Sequence, residues 1–217
     1  MRIVTIKQMK EIERRADKSG LSFTQMMENA GCAAAELIRK NTKNFESKIV
    51  LILAGKGNNG GDGFVAARRI KELGAKPLII MAEGLPSTAD AKLNFDLAKE
   101  QGIEILDFDA NKSSPLIYGS DIIIDCVYGT GFHGELSAEV KQLFDIVSDS
   151  DAVKYSIDIP SGINADDCAI ANGAFKADFT VAIDSLKNAH ISDKTFEYCG
   201  HTVCADIGIP NFCHDSL

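Results

Sequence analysis

The sequence predicts an α/β fold, a single-domain three-layer α/β/α sandwich around a mostly parallel central sheet. Three observations carry this expectation. An unbroken apolar run at residues 49–54 passes through a glycine-rich stretch into a helical pattern, the same alternation of strand and helix recurs along the chain, and turn-forming polar residues collect just after the apolar runs. A run apolar at every position suits a strand covered on both faces. Strands alternating with helices of ten or more residues imply parallel pairing with right-handed crossovers.

In chain order, residues 7–19 set Met9, Ile12 and Ala16 on one side of a charged segment, the pattern of a surface helix. A second helix is expected over 22–39, capped by Ser22 or Thr24. Its middle, 30–35, is a run of small residues that reads as a packing face, with Glu28 and Asn29 as the polar residues beside it. Together these give a helical segment at 7–40 packed on a core at 48–210. Strands are expected at 49–54, 76–81, 103–106, 121–125, 153–159, 179–183 and 202–207, with helices at 87–101 and 137–147. No internal repeat, low-complexity segment or second domain stands out.

The 217 residues are enough for one α/β domain. With 45% hydrophobic and 25% charged residues, the composition is that of an ordinary globular protein. No apolar run approaches the length of a bilayer span, and the charged N-terminus does not read as a signal peptide, so no membrane association and a cytoplasmic location are expected. The six cysteines are scattered without a C-x-x-C pair, which points to reduced thiols rather than a zinc site or disulfide framework. A net charge of −8 without a dense basic cluster argues against nucleic acid as a partner.

The most informative stretch follows the first strand. Gly55, Gly57, Gly60, Gly61 and Gly63 surround Asn58, Asn59 and Asp62. So many glycines are costly in chain entropy unless the backbone must turn tightly or approach something closely. Phe64, Ala67, Ile70 and Leu73 lie at helical spacing, so a helix is expected from Phe64, with the glycine stretch as a loop aiming N–H groups at an anion. Gly55-x-Gly57-x-x-Gly60 also matches the Rossmann-like dinucleotide fingerprint, itself a weak signal. Glu83 stands near the position, about 20 residues on, where that fingerprint places an acidic partner for a ribose hydroxyl.

In parallel sheets ligands collect beyond the carboxyl ends of the strands. The fourth strand ends at Asp125 and runs into a second glycine-rich loop, 126–135; the fifth ends in Asp158-Ile159-Pro160-Ser161-Gly162. Asn58, Asn59, Asp62, Asp125, Asp158 and Ser161 are thereby brought toward one rim. Oxygen donors without paired Cys or His suit a hard cation; Asp125 and Ser161 serve equally well as caps of turns or helices. His133 reads as a ligand contact or a solvent-exposed side chain, and His190, His201 and His214 carry no constellation.

These segments together resemble the NAD(P)HX epimerase family, of the YjeF N-terminal type. The resemblance rests on GKGNNGGDGFVAARR, Met27-Glu28-Asn29-Ala30-Gly31, DCVYGTGFHGEL, SIDIPSGINAD, KADFTVAI and the closing ADIGIP, in the family's order. It implies an isomerase of three-layer fold that interconverts the R and S epimers of hydrated NADH and NADPH, NADHX and NADPHX, for a partner dehydratase. It further implies that the dinucleotide contacts Asn58, Asn59, Gly60, Gly61 and Asp62, then Gly129, Thr130, Gly131, Phe132, His133, Gly134 and Glu135, and Asp158. A potassium ion would be held by Asn59, Asp125 and Ser161. Asp158 is the expected acid/base, with Asp62 as the second candidate, and a homodimer through the N-terminal helices is implied. In many relatives the epimerase is fused to the dehydratase, so an epimerase working with a separate dehydratase is expected at this length. The segment 184–190, DSLKNAH, departs from the family's frequent glycine- and proline-containing turn, which predicts an altered outer pocket edge. The alternative is a non-catalytic nucleotide-binding or scaffold module of the same fold; a conventional NAD-dependent oxidoreductase is disfavoured by the lack of a Tyr-x-x-x-Lys pair.

Overall fold

The computed structural model describes residues 2–215. Among them seven strands, β1 (Ile49–Ala54), β2 (Lys76–Met81), β3 (Glu104–Asp107), β4 (Ile122–Cys126), β5 (Val153–Ile157), β6 (Phe179–Ile183) and β7 (His201–Ala205), form one sheet. Every neighbouring pair is parallel, in the order β3-β2-β1-β4-β5-β6-β7. The helices are α1 (Ile6–Lys18), α2 (Phe23–Asn41), α3 (Asn58–Glu72), α4 (Ala89–Glu100), α5 (Ala110–Tyr118), α6 (Ala138–Ser148) and two single-turn pieces, α7 (Asn188–Ile191) and α8 (Phe196–Cys199).

The apolar strands divide their side chains between two cores. Val50, Ile52 and Ala54 of β1 face a core shared with Met9 and Ile12 of α1, Ala30, Ala34 and Ile38 of α2, and Phe64, Ala67 and Ile70 of α3. Leu51 and Leu53 face the opposite core, with Ile117 of α5 and Val140, Leu143 and Val147 of α6. Because side chains alternate across a strand, one continuous apolar run supplies both layers. The small-residue face of α2 packs on α3: a β-carbon at Gly31 would stand 2.5 Å from Val65 Cβ.

The helix boundaries correct the sequence reading at one important place. The helix after β1 starts at Asn58 rather than at Phe64, so Gly60, Gly61 and Gly63 are helical and only Gly55, Lys56 and Gly57 form the turn. The glycines serve close packing there. A side chain at Gly60 would sit 1.9 Å from the Gly55 carbonyl oxygen, one at Gly61 2.5 Å from Met27 Sδ, and one at Gly63 2.8 Å from Cys126 Cβ. Helix α5 was not expected, its signal masked by Ser113, Ser114 and Pro115. It forms because Asp109 Oδ1 accepts from the N–H groups of Asn111 and Lys112 at 3.1 and 3.0 Å, while Ile117 is fully buried. Strand β5 ends at Ile157, two residues before the expected end, where the chain turns at Asp158.

Three hydrogen bonds fix the start of α1 to the carboxyl end of the sheet. Val4 N–H donates to Leu186 O at 2.9 Å and Leu186 N–H to Arg2 O at 2.9 Å, while Ile6 N–H donates to Asp166 Oδ1 at 2.8 Å. Thr5 and Gln8 close a capping box at the start of the helix. The contrast among glycines is measurable. Gly60→Ala should destabilise the protein by about 2 kcal/mol or more in chemical denaturation, because backbone blocks the added methyl. Gly131→Ala, with nothing within 4 Å, should stay within about 0.5 kcal/mol of the parent; equal effects would refute this account.

Candidate active site

The strand order makes β1 the pivot of the sheet, with β2 on one side and β4 on the other. The connection leaving β1 runs into α3 on one face and that leaving β4 leads to α6 on the other, so a crevice opens between their first residues. A cavity of about 510 Å³ lies there. Its walls include Gly57, Asn58, Asn59 and Asp62 at the start of α3, the 127–132 loop after β4, Asp158 after β5, Lys187 after β6, and Met9 and Glu13 of α1. The walls approach closely because of missing side chains: a β-carbon at Gly55 would lie 2.0 Å from Val127 O, and one at Gly129 2.6 Å from Asp158 Oδ2. The first N–H groups of α3, at Asn58, Asn59 and Gly60, lack a preceding helical turn to bond, and the helix dipole adds positive potential there.

Asp158 sits at the rim under several constraints. Its φ is +68°, a left-handed conformation uncommon for a non-glycine residue. Its N–H donates to Val181 O at 2.8 Å, and its carbonyl accepts from His190 Nε2 at 2.7 Å. The tautomer follows from the other ring nitrogen: Lys187 N–H donates to His190 Nδ1 at 2.9 Å, so the proton is on Nε2. Burial, then the neighbouring Lys187 ammonium, lowers the His190 pKa to about 4, consistent with this neutral ring. The Asp158 carboxylate accepts from Lys187 Nζ at 2.9 Å through Oδ1 and from Thr130 N–H at 2.7 Å through Oδ2. Burial works against its ionisation, but the charge and hydrogen bond of Lys187, with Thr130 N–H, outweigh it and hold its pKa below the ordinary value. Lys187 is itself 1% exposed and donates a second bond to Ile183 O at 2.9 Å.

Two other carboxyl groups behave oppositely. Burial, reinforced by the charges of Asp158 and Glu13, raises the pKa of Asp62 well above the usual carboxylate range despite Lys187. Burial and then Asp158 raise that of Glu13 to about 7. Burial and mutual repulsion thus favour the protonated forms of Asp62 and Glu13, while Lys187 favours the ionised form of Asp158.

Behind the 127–132 loop lies a buried oxygen cluster. Asp125 Oδ1 accepts from Ser161 Oγ at 2.6 Å and Val127 N–H at 3.1 Å, and Oδ2 accepts from Ser161 N–H at 2.7 Å. Burial raises Asp125 to about 6, against the pull of these donors. Asn59 Nδ2 donates to Tyr128 O at 2.8 Å, while Asn59 Oδ1 is buried with no hydrogen-bond partner. An orphaned amide oxygen beside a carboxylate, a hydroxyl and a backbone carbonyl is a donor set for a hard cation of low charge. Among the described residues no group of three or more His, Cys, Asp or Glu is placed to hold a metal.

Of the residues singled out in the sequence, Asn58, Asn59, Asp62, Gly129, Thr130, Gly131, Phe132 and Asp158 line the cavity. Gly60 and Gly61 pack inside α3, and Asp125 and Ser161 lie beneath the wall. His133 is exposed with Nδ1 3.0 Å from Gly131 O, Gly134 is at a positive-φ turn, and Glu135 pairs with Lys141 at 3.5 Å. Glu83 does reach the cavity: Oε1 accepts from the Tyr128 hydroxyl at 2.5 Å and Oε2 is buried without a partner. Glu28 and Asn29 are pins instead, the first bonded to Arg68 and the second donating to Ile207 O at 2.7 Å. All six cysteines are free thiols. Sequence reasoning missed Lys187, His190 and Glu13. Lys187 was concealed in a segment noted only for its departure, and Glu13 by a helix read as surface.

A family model described as YjeF-related protein N-terminus matches residues 23–189. The chain belongs to that family. It is 31% identical over 211 residues to the NAD(P)H-hydrate epimerase of Nitrosopumilus maritimus, with 95% of each chain covered. To the bifunctional NAD(P)H-hydrate repair enzyme Nnr of Archaeoglobus fulgidus it is 34% identical over 210 residues, 97% of this chain and 42% of the relative's length. The crystal structure of yeast ynu0, YNL200c, superposes with a TM-score of 0.79 at 22% identity, covering 94% of this chain and 87% of that one, a likeness of fold.

The Asp158–Lys187 pair makes a stability prediction. In the parent, the depressed pKa of Asp158 contributes stability that is present above the unfolded value and lost as pH falls through the folded one. Lys187→Met leaves the carboxylate buried without its cation, at a cost of about 3 kcal/mol near neutrality. The deficit should shrink toward about pH 4, where the carboxyl takes up a proton. Denaturant titrations at both pH values test this, and an equal deficit at each would count against an ion pair.

Proposed function

We propose that the chain is an NAD(P)H-hydrate epimerase, interconverting the R and S forms of NADHX and NADPHX. The end-to-end match with an epimerase over 95% of each chain supports the activity. The observation that carries the chemistry is Asp158, a carboxylate kept ionised by Lys187 at the wall of the cavity. Inversion at the ring carbon that bears the hydroxyl requires that the hydroxyl leave and return on the other side. The ring nitrogen stabilises the cation formed in between, and Asp158 accepts a proton from the returning water. The first-turn N–H groups of α3 receive the pyrophosphate. Glu83, in the cavity wall, is the candidate to accept from a ribose hydroxyl.

A potassium ion, held by Asn59, Asp125 and Ser161, fits the orphaned Asn59 Oδ1. When bound it supplies positive charge near the phosphates. The protein residues around it tie α3, the 127–132 loop and the 158–161 turn together. A separate dehydratase, a homodimer and a cytoplasmic location belong to the same proposal. Among the described residues no helix is long and apolar enough to cross a membrane.

Proton NMR of R-NADHX with the protein should show accelerated approach to the R/S equilibrium. Asp158→Asn should lower the rate at least about 100-fold while dinucleotide binding persists. Binding with no acceleration by the parent would favour the non-catalytic module instead. Potassium should raise the melting temperature more than lithium does, and Ser161→Ala should abolish that difference; an ion-independent melt would remove potassium from the proposal.

A further inference from the structure

We propose that Glu13 is the second proton-transferring group of this reaction, acting on the ring hydroxyl from the α1 wall while Asp158 acts from the sheet rim. The inference rests on the epimerase reading and extends it. Epimerisation by loss and return of a hydroxyl needs a donor for the departing oxygen and an acceptor for the incoming water, on different sides of one carbon. Asp158, ionised and backed by Lys187, is the acceptor.

Glu13 is available as the donor by its place in the cavity wall. It lines the same cavity from an element that no other carboxyl of the site belongs to, and α1 is pinned by the Ile6–Asp166 and Val4–Leu186 bonds. Its neighbours on the helix, Met9, Ile12 and Ala16, are buried, which draws this charged position off the open surface. Among the described residues no hydrogen bond or ion pair holds its carboxyl, although a partly buried carboxyl ordinarily finds one. The charged groups around it are Lys10 on its own helix, Asp62 of α3, Asp158, and Lys187 and Asp184 after β6; neutral His190 lies behind Asp158. Burial pushes up two carboxyls of the cavity, Asp62 and Glu13. Glu13, raised to about 7, gives and takes a proton near neutrality.

In the forward step the Glu13 carboxyl gives its proton to the leaving hydroxyl. The C–O bond breaks with its electrons going to oxygen, and the nitrogen lone pair forms the C=N bond. Water then adds on the other side, the C=N electrons return to nitrogen, and Asp158 takes the extra proton. The protein is left with Glu13 ionised and Asp158 protonated, the correct state for the reverse reaction. Exchange with solvent resets it.

The test is a set of rate–pH profiles for R-NADHX epimerisation by the parent, Glu13→Gln and Glu13→Asp. The parent rate should fall as pH rises through about 7, as the donor loses its proton. Glu13→Gln should lower kcat about 100-fold with little change in dinucleotide affinity and abolish that alkaline limb. Glu13→Asp should recover part of both. A parent profile flat from about pH 6 to 8.5, or Glu13→Gln matching the parent in rate and profile, overturns the proposal. If the parent itself does not epimerise, the functional reading falls and this one with it; if only the variants fail to differ, Glu13 alone is removed. The parent profile decides the matter even if a variant does not fold.

Discussion

The buried ion pair between Lys187 and Asp158 is the constraint on which the site depends. Lys187 is almost wholly buried and can neutralise one anion, and geometry assigns it to Asp158 at 2.9 Å. Further negative charge in the same enclosure is expensive, so the pKa of Asp62 is pushed well up and that of Glu13 rises to about 7. The difference between one carboxylate and its neighbours thus comes from the position of Lys187 and of the Thr130 N–H, not from residue type.

The fold makes this arrangement possible through close approach. Lys187 and Asp158 follow adjacent strands, β6 and β5, while Asp62 and Asn59 come from α3, whose first turn lies against the β4 loop. Glycine at 55, 60 and 129 removes the atoms that would hold these segments apart. Cα-only positions bring the backbone itself to the ligand cavity, where N–H groups act as fixed donors without side-chain entropy to lose.

The strands, their layering and the rim were largely legible in the sequence, whereas the order of the strands across the sheet comes from the structure alone. Both-face burial leaves unbroken apolar runs such as Ile49–Ala54, and a parallel sheet directs ligand residues to strand ends. The start of α3 was not, because a helix with Gly60, Gly61 and Gly63 in its first turns violates helix propensity; tertiary packing against Met27 and Cys126 overrides it. Asp158 was recoverable from its strand end. Lys187 was not, since a lone lysine in a polar segment gives no hint of burial, and its partner is 29 residues away in sequence. Glu13 lay hidden because periodicity identifies the buried stripe of α1 but not what faces the edge of that stripe.

The left-handed backbone at Asp158 has an evolutionary consequence. Aspartate, asparagine and glycine are the residues that enter this conformation with least strain. A descendant released from selection for chemistry would drift at this position within that narrow set, keeping the turn while the carboxylate disappears and Lys187 is left buried without its anion. Loss of the carboxylate would therefore draw a second change at Lys187, and a lineage that made both would still look, in backbone, like an enzyme.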